Sequence, residues 1–239
     1  MRNSKPLLNT YWKKVVNGVL IFGATQGTGL EVARLLAARG DSVTAAVRAS
    51  SDTGQLEAIG VKTIIADVFD PEAVAAALRS KPFKTILLSL SGTKGETRRA
   101  DREGVNIIID AARQVGIKRV LMVTAIGCGD SHGAVAPKVI EILGEVLAAK
   151  TEAENNLEQS GLDYTILRPG GLTDNPASGT AIKSTDHQLM GVANRADVAK
   201  LVVDCIDDAS TIGEIYHAID PEITWQAPLQ RGEDISKGK

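Results

Sequence analysis

The stretch Val19-Leu20-Ile21-Phe22-Gly23-Ala24-Thr25-Gln26-Gly27-Thr28-Gly29-Leu30 decides the fold. Four apolar residues in a row make a short strand, a glycine-rich turn follows over Gly23–Gly29, and Leu30 to Arg39 reads as a helix that stops at Gly40. Such a turn lets backbone N–H groups approach a pyrophosphate, whose charge the helix N-terminus stabilises. Gly23 serves the tight turn, and Gly29 the close packing of helix on strand. Thr25, Gln26, Gly27 and Thr28 complete the bend. Gln26 stands where the commoner Gly-x-x-Gly-x-x-Gly pattern has its middle glycine, and Gly27 follows it.

Outward from this turn, strands and helices alternate. Strands are expected at Ser42–Val47, Val61–Ala66, Thr85–Leu90, Arg119–Thr124, Asp163–Leu167 and Glu214–Ile219. Helices are expected at Ala73–Leu78, introduced by Asp70 as N-cap and Pro71 at the first position, and at Arg102–Val115, Val139–Gln159 and Asn194–Cys205. Gly144 is a weak point in the third of these. The last is capped by Asn194, with Asp197 at its third position. Strands without in–out alternation, joined by helices, define a parallel sheet covered on both faces. The chain reads as an arm over 1–14, one α/β domain over 15–220 with a loop-rich lobe at 172–193, and a flexible tail over 221–239.

The 239 residues exceed one average domain of roughly 100–200 residues and fall short of two. Hydrophobic residues at 44% and charged residues at 23% exclude a disordered or fibrous chain. Lys and Arg number 27 against 29 Asp and Glu, so no basic excess favours nucleic acid. No apolar run approaches the roughly 20 residues of a membrane span. Cys128 and Cys205 show no metal or disulfide spacing, which excludes a disulfide framework and leaves no expected metal site. A cytoplasmic protein, monomeric or homodimeric, is the expectation.

The ends of the later strands select the ligand. Val47-Arg48 carries a guanidinium where an NAD-binding chain has a carboxylate for the ribose 2′-hydroxyl. A guanidinium there matches a 2′-phosphate, so NADP(H) is the expected cofactor. Asp67 and Val68 stand at the adenine position, and Leu90, Ser91 and Gly92 at the carboxyl edge of the fourth strand, where such sheets bind ligands. The run Thr97–Glu103 mixes charges of both signs and reads as a surface helix start.

Together, Gly23–Gly29, Val47-Arg48, Ala66-Asp67-Val68, Leu90–Thr93, Thr124 and Ser160–Gly170 resemble the atypical short-chain dehydrogenase/reductase superfamily, with its NmrA-like and biliverdin reductase B (flavin reductase) members. The resemblance spans about residues 17–220. Asp174-x-Pro176-x-Ser178-Gly179 is similar to the loop after the sixth strand of the biliverdin reductase group. The resemblance implies a doubly wound Rossmann fold with a small C-terminal substrate lobe. It also implies a nicotinamide site near Thr124, Lys150 and Pro169-Gly170-Gly171-Leu172, the last segment offering backbone groups to the carboxamide.

Thr124 and Lys150 are the candidate catalytic residues. Ordinary members of the superfamily carry a tyrosine four residues before a lysine, as proton donor to a carbonyl. Val146 holds that place before Lys150, and Tyr11, Tyr164 and Tyr216 are followed four residues later by Val15, Arg168 and Asp220. Reduction of an isolated ketone gains about 10²–10⁴-fold from such an acid. A flavin, quinone or biliverdin-like acceptor delocalises the incoming charge and takes its proton from solvent, so the expected substrate is a planar conjugated acceptor. Two alternatives stand beside this reading: a non-catalytic NmrA-like NADP(H) sensor, and an isoflavone-type reductase or sugar-nucleotide epimerase. His132 and Cys128 lie in the loop after the fifth strand, near the expected substrate.

Overall fold

Val19, Leu20, Ile21 and Phe22 are all fully buried because β1 (Gly18–Phe22) lies inside a sheet covered on both faces. Val19 and Ile21 point to one layer, with Leu30, Ala33 and Leu36 of α1 (Gly27–Arg39) and Val198 and Val202 of α6 (Arg195–Asp207). Leu20 and Phe22 point to the other. There they meet α3 (Pro71–Arg79), α4 (Val105–Val115) and α5 (Pro137–Gln159) through Val74, Ile108, Ile109 and Leu157. Two buried faces explain the continuous apolar run.

The computed structural model describes residues 18–92 and 95–223. The arm at 1–14, Thr93, Lys94 and the tail beyond 223 lie outside them. The other strands are β2 (Ser42–Val47), β3 (Lys62–Ile65), β4 (Thr85–Leu88), β5 (Arg119–Val123), β6 (Asp163–Pro169), β7 (Gly171–Thr173), β8 (Ile182–Ser184), β9 (Val192–Asn194) and β10 (Glu214–Ile219). The sheet order is β3-β2-β1-β4-β5-β6-β10-β8, parallel except for β8, which runs antiparallel along β10. The chain reverses its direction of travel between β1 and β4, so a crevice forms at their carboxyl ends. This is the Rossmann arrangement. No helix among the described residues is long and apolar enough to cross a membrane.

Several local readings need correction. Residues 172–193 hold short strands: β8 extends the main sheet, while β7 and β9 pair in parallel as a two-stranded ribbon. A short helix α2 (Gly54–Ala58) lies between β2 and β3. The run Thr97–Glu103 is not simply a surface helix start. A π-helical turn spans Ala100–Gly104, and Arg99 and Asp101 form a buried ion pair at 2.9 Å. Helix α5 passes through Gly144 without interruption. Asn194 precedes α6 without capping it; its side chain accepts from Thr173 and donates to Asp197.

Asp70 does cap α3, accepting from the N–H groups of Glu72 and Ala73 at 3.0 and 3.1 Å, with Pro71 at the first helical position. Asp70→Ala is expected to cost about 1 kcal/mol. A thermal melt should show this as a fall in Tm of about 2–4 °C.

Candidate active site

At the carboxyl ends of β1 and β4 opens a cavity of about 880 Å³, within the size range of small-molecule and cofactor sites. Its floor is the glycine-rich turn. Gly23 has φ +89°, and a Cβ there would lie 2.2 Å from the Ser89 carbonyl oxygen. A Cβ on Gly29 would lie 2.1 Å from the Gly23 carbonyl oxygen. Backbone therefore packs on backbone, and no side chain fits at either place. Gly23, Thr25, Gln26, Gly27 and Thr28 line the cavity, and Gly29 supports them from behind. No side chain caps the first amides of α1 at Gln26, and its first turn holds no acidic residue. An anion at this end meets unopposed N–H groups.

One wing of the cavity holds Arg48, Asp67, Val68 and Phe69. Arg48 is set by a tight turn: its N–H donates to the Ser51 hydroxyl at 3.2 Å, and the Ser51 N–H donates to its carbonyl at 3.0 Å. Among the described residues its guanidinium meets no carboxylate. One oxygen of Asp67 accepts from the Phe69 N–H at 2.9 Å, so this carboxylate also holds the turn. Arg98 lies over the Phe69 ring, 4.5 Å from its centroid, and is anchored to Glu103. Nothing local in the sequence signals this cation–π pair.

The opposite wing holds Leu90, Ser91, Thr124, Lys150 and Leu172. The Lys150 ammonium, buried on α5, donates to the Leu90 carbonyl at 2.8 Å and so ties the end of β4 to the helix. Burial pushes its pKa down, and the carboxylates of Asp101 and Glu154 act against that. The Thr124 hydroxyl donates to Glu154 at 2.5 Å. Its proton is thereby committed inward, and towards the cavity Thr124 offers only a lone pair.

Behind Thr124 lies an ion network that no sequence pattern announced. Arg168, the largest fully buried side chain, donates to both oxygens of Glu154 at 3.1 and 2.8 Å and to Asp130 at 2.5 Å. Burial works against the Arg168 charge, but Glu154 and Asp130 outweigh it and raise the pKa. Asp130 also meets His187 Nδ1 at 2.7 Å, and His187 stacks on His217 at 5.0 Å. Burial pushes the Cys128 thiol up to about 12, with Glu154 adding to it, so this cysteine is an inert packing group. His132 is exposed on the 3-10 turn Gly129–Ala134. Among the described residues no cluster of three or more His, Cys, Asp or Glu is placed to hold a metal.

Besides Gly29, four expected contact residues stand apart from the cavity lining. A Cβ on Gly92 would strike Asp101 and Arg99, so this glycine accommodates the buried ion pair. Pro169 has no N–H and ends β6, where its carbonyl accepts from Ile126 at 2.9 Å. The N–H groups of Gly170 and Gly171 are committed to Ala218 and Gly191, at 3.3 and 3.0 Å. Of that segment only Leu172 reaches the cavity. Among the lining residues that sequence reasoning passed over as ligands are Asp174 and Arg195.

A doubly wound α/β chain with an uncapped glycine turn at its switch point, and after the next strand a guanidinium that meets no carboxylate among the described residues, defines a protein of the dinucleotide-binding class. The family model described as NAD(P)H-binding matches residues 23–209. ChuY from Escherichia coli O157:H7, described as an anaerobillin reductase, superposes with a TM-score of 0.80 at 32% identity, covering 88% of this chain and 100% of that one. YhfK of Bacillus subtilis, named an uncharacterized sugar epimerase, is 34% identical over 197 residues, which are 81% of this chain and 89% of that protein. The NAD(P)H azoreductase of Xenophilus azovorans is 29% identical over 66% of this chain and 49% of its own. The chain belongs to the NAD(P)H-binding family, and proteins named as reductases are among those it resembles.

Proposed function

We propose that the protein uses NADPH to reduce a planar conjugated acceptor of the flavin, quinone or biliverdin-like class. One observation carries the choice of acceptor: among the described residues no phenol stands beside Lys150. Val146 occupies that place, and neither Tyr164 nor Tyr216 lines the cavity. Lys150 is tied to the Leu90 carbonyl and the Thr124 proton to Glu154. These residues orient and exclude water: the Thr124 proton is directed away from the cavity, and the Lys150 ammonium is held against the end of β4. An acceptor that spreads its charge needs positioning more than an acid.

The residues present fit the nicotinamide dinucleotide. The Gly23–Gly29 turn brings the uncapped first amides of α1 to the cavity, Arg48 lines the wing where a 2′-phosphate belongs, and Asp67 and Val68 adjoin it. When bound, NADPH supplies a hydride. Leu172, Thr124 and Lys150 wall the end at which that hydride would be exposed. The names of ChuY and the azoreductase support a reductase, and an azo group is itself a conjugated acceptor. The epimerase name of YhfK fits this site less well, because the tyrosine of the short-chain motif is missing.

The test is NADPH oxidation against FMN, FAD, quinones, biliverdin and simple ketones. Turnover with a conjugated acceptor and little with ketones is the expected outcome. Efficient ketone reduction alone would overturn the acceptor class, and tight NADPH binding without any oxidation would favour a redox sensor. In the same assay Arg48→Ala should raise the Kd for NADPH by about 10–100-fold, as loss of a charged hydrogen bond of about 1.5–3 kcal/mol implies. Its Kd for NADH should stay within about twofold.

A further inference from the structure

Arg195 is the first residue of α6, and Gly27 the first of α1; the two helices pack side by side on one face of the sheet. A Cβ built on Gly27 would lie 3.6 Å from Arg195 Nε and 3.7 Å from its Cδ. The guanidinium stem thus lies directly across the bend of the glycine-rich turn, inside the same cavity. Its position is electrostatically odd. A cation in the first turn of a helix opposes the positive end of the helix dipole. The acid of that turn, Asp197, does not pair with Arg195. It is taken by the N–H groups of Ser178 and Gly179 and by Asn194, at 2.8, 2.9 and 2.9 Å.

Among the described residues, the one ion pair of Arg195 is with Asp174, at 2.7 Å. The Asp174 side chain is 86% exposed. A pair so open to water contributes little and exchanges readily. Two N-terminal helix ends and a guanidinium therefore converge on one side of the turn, and the carboxylate paired with that guanidinium is solvated. A diphosphate bound there would present two negative groups at hydrogen-bonding range of a planar fork of donors.

We propose that Arg195 is a ligand of the dinucleotide's diphosphate, held in place by Asp174 until the cofactor displaces that carboxylate. The proposal rests on the reading of the cavity as an NADP(H) site. It gives Arg195 a role distinct from that of Arg48. Arg48 selects NADPH over NADH, whereas Arg195 holds the part that both cofactors share. Asp174 competes with the ligand, so removing its charge helps binding.

The experiment is titration of purified wild-type, Arg195→Met, Arg195→Lys and Asp174→Asn proteins with NADPH, NADH, ADP-ribose and adenosine 2′-monophosphate, with a melting curve for each protein. Arg195→Met should weaken NADPH, NADH and ADP-ribose by one common factor of about tenfold or more. It should leave adenosine 2′-monophosphate, which has no diphosphate, within about twofold. Arg195→Lys should recover part of the loss, and Asp174→Asn should tighten the three diphosphate ligands several-fold. Unchanged affinities in a folded Arg195→Met protein overturn the assignment, as does a loss confined to NADPH. Should Arg195→Met fail to fold, Asp174→Asn decides, since its exposed side chain is dispensable for packing: unchanged or weaker binding overturns the exchange. If the wild-type protein binds none of these ligands, the cofactor reading itself falls. If it binds them and only the variants disagree, Arg195 alone loses its role.

Discussion

Gly29→Ala is expected to raise the Kd for NADPH at least 100-fold and to lower Tm by about 6–12 °C. The added methyl would sit 2.1 Å from the Gly23 carbonyl oxygen and 2.9 Å from its carbon, both backbone atoms that cannot swing aside. Either α1 must lift from β1, or the turn must open. The first disturbs the layer in which Leu30, Ala33 and Leu36 pack against Val19 and Ile21. Overpacking of this kind costs about 3 kcal/mol, and a chain of this size loses about 2–4 °C per kcal/mol. The second destroys the bend whose residues line the cavity, so binding falls even where the fold survives. Gly133→Ala serves as the control. Nothing lies within 4 Å of its added methyl, and both readouts should stay close to wild type. Equal NADPH affinity in the two variants would show that the dinucleotide binds elsewhere.

Arg168→Met is the second large effect. It leaves Glu154 buried, with the Thr124 hydroxyl as its remaining partner among those identified. Removing one member of a buried pair costs about 3–5 kcal/mol, chiefly because the other charge stays behind. The melt should fall by about 6–20 °C. Adding Glu154→Gln removes the stranded charge and still accepts the Thr124 hydrogen bond, so the double variant should recover most of the loss. If it does not, packing around Arg168 matters more than its charge.

The same network sets an acid limb. Burial pushes Asp130 up, but His187 and Arg168 outweigh it and hold it at about 2, below the ordinary 3.8. A carboxyl depressed in the folded state stabilises above its unfolded pKa and loses that contribution as pH falls towards the folded value. Wild-type Tm should therefore drop between about pH 4 and pH 2, and the drop should be shallower in Arg168→Met.

Much of the scaffold was legible because its determinants are local. The runs at Val19–Phe22 and Ile86–Leu88 are apolar without alternation, since both faces of each strand are covered. Asp70-Pro71 marks a helix start by its own hydrogen bonds. Gly23–Gly29 announces a turn where side chains have no room. Other features depended on which backbone lay opposite. The glycines at 170 and 171 look available to a ligand in the sequence, yet their N–H groups face Ala218 and Gly191. Gly92 resembled a contact residue and instead makes space for Arg99 and Asp101. Strands β7, β8 and β9 are each three residues long, too short for any period to show.

By itself, the sequence determined the alternation of strands and helices, the phosphate-sized bend, the guanidinium at position 48 and the missing phenol before Lys150. Each depends on residue type within a few positions, because backbone sterics, helix caps and side-chain chemistry act at that range. Tertiary structure alone decided that Arg195 crosses Gly27, that Arg98 covers Phe69, and that Arg168 secures Thr124 through Glu154. Those neighbours are far apart along the chain. They meet only because burial of both sheet faces brings α1, α5 and α6 into register around one crevice.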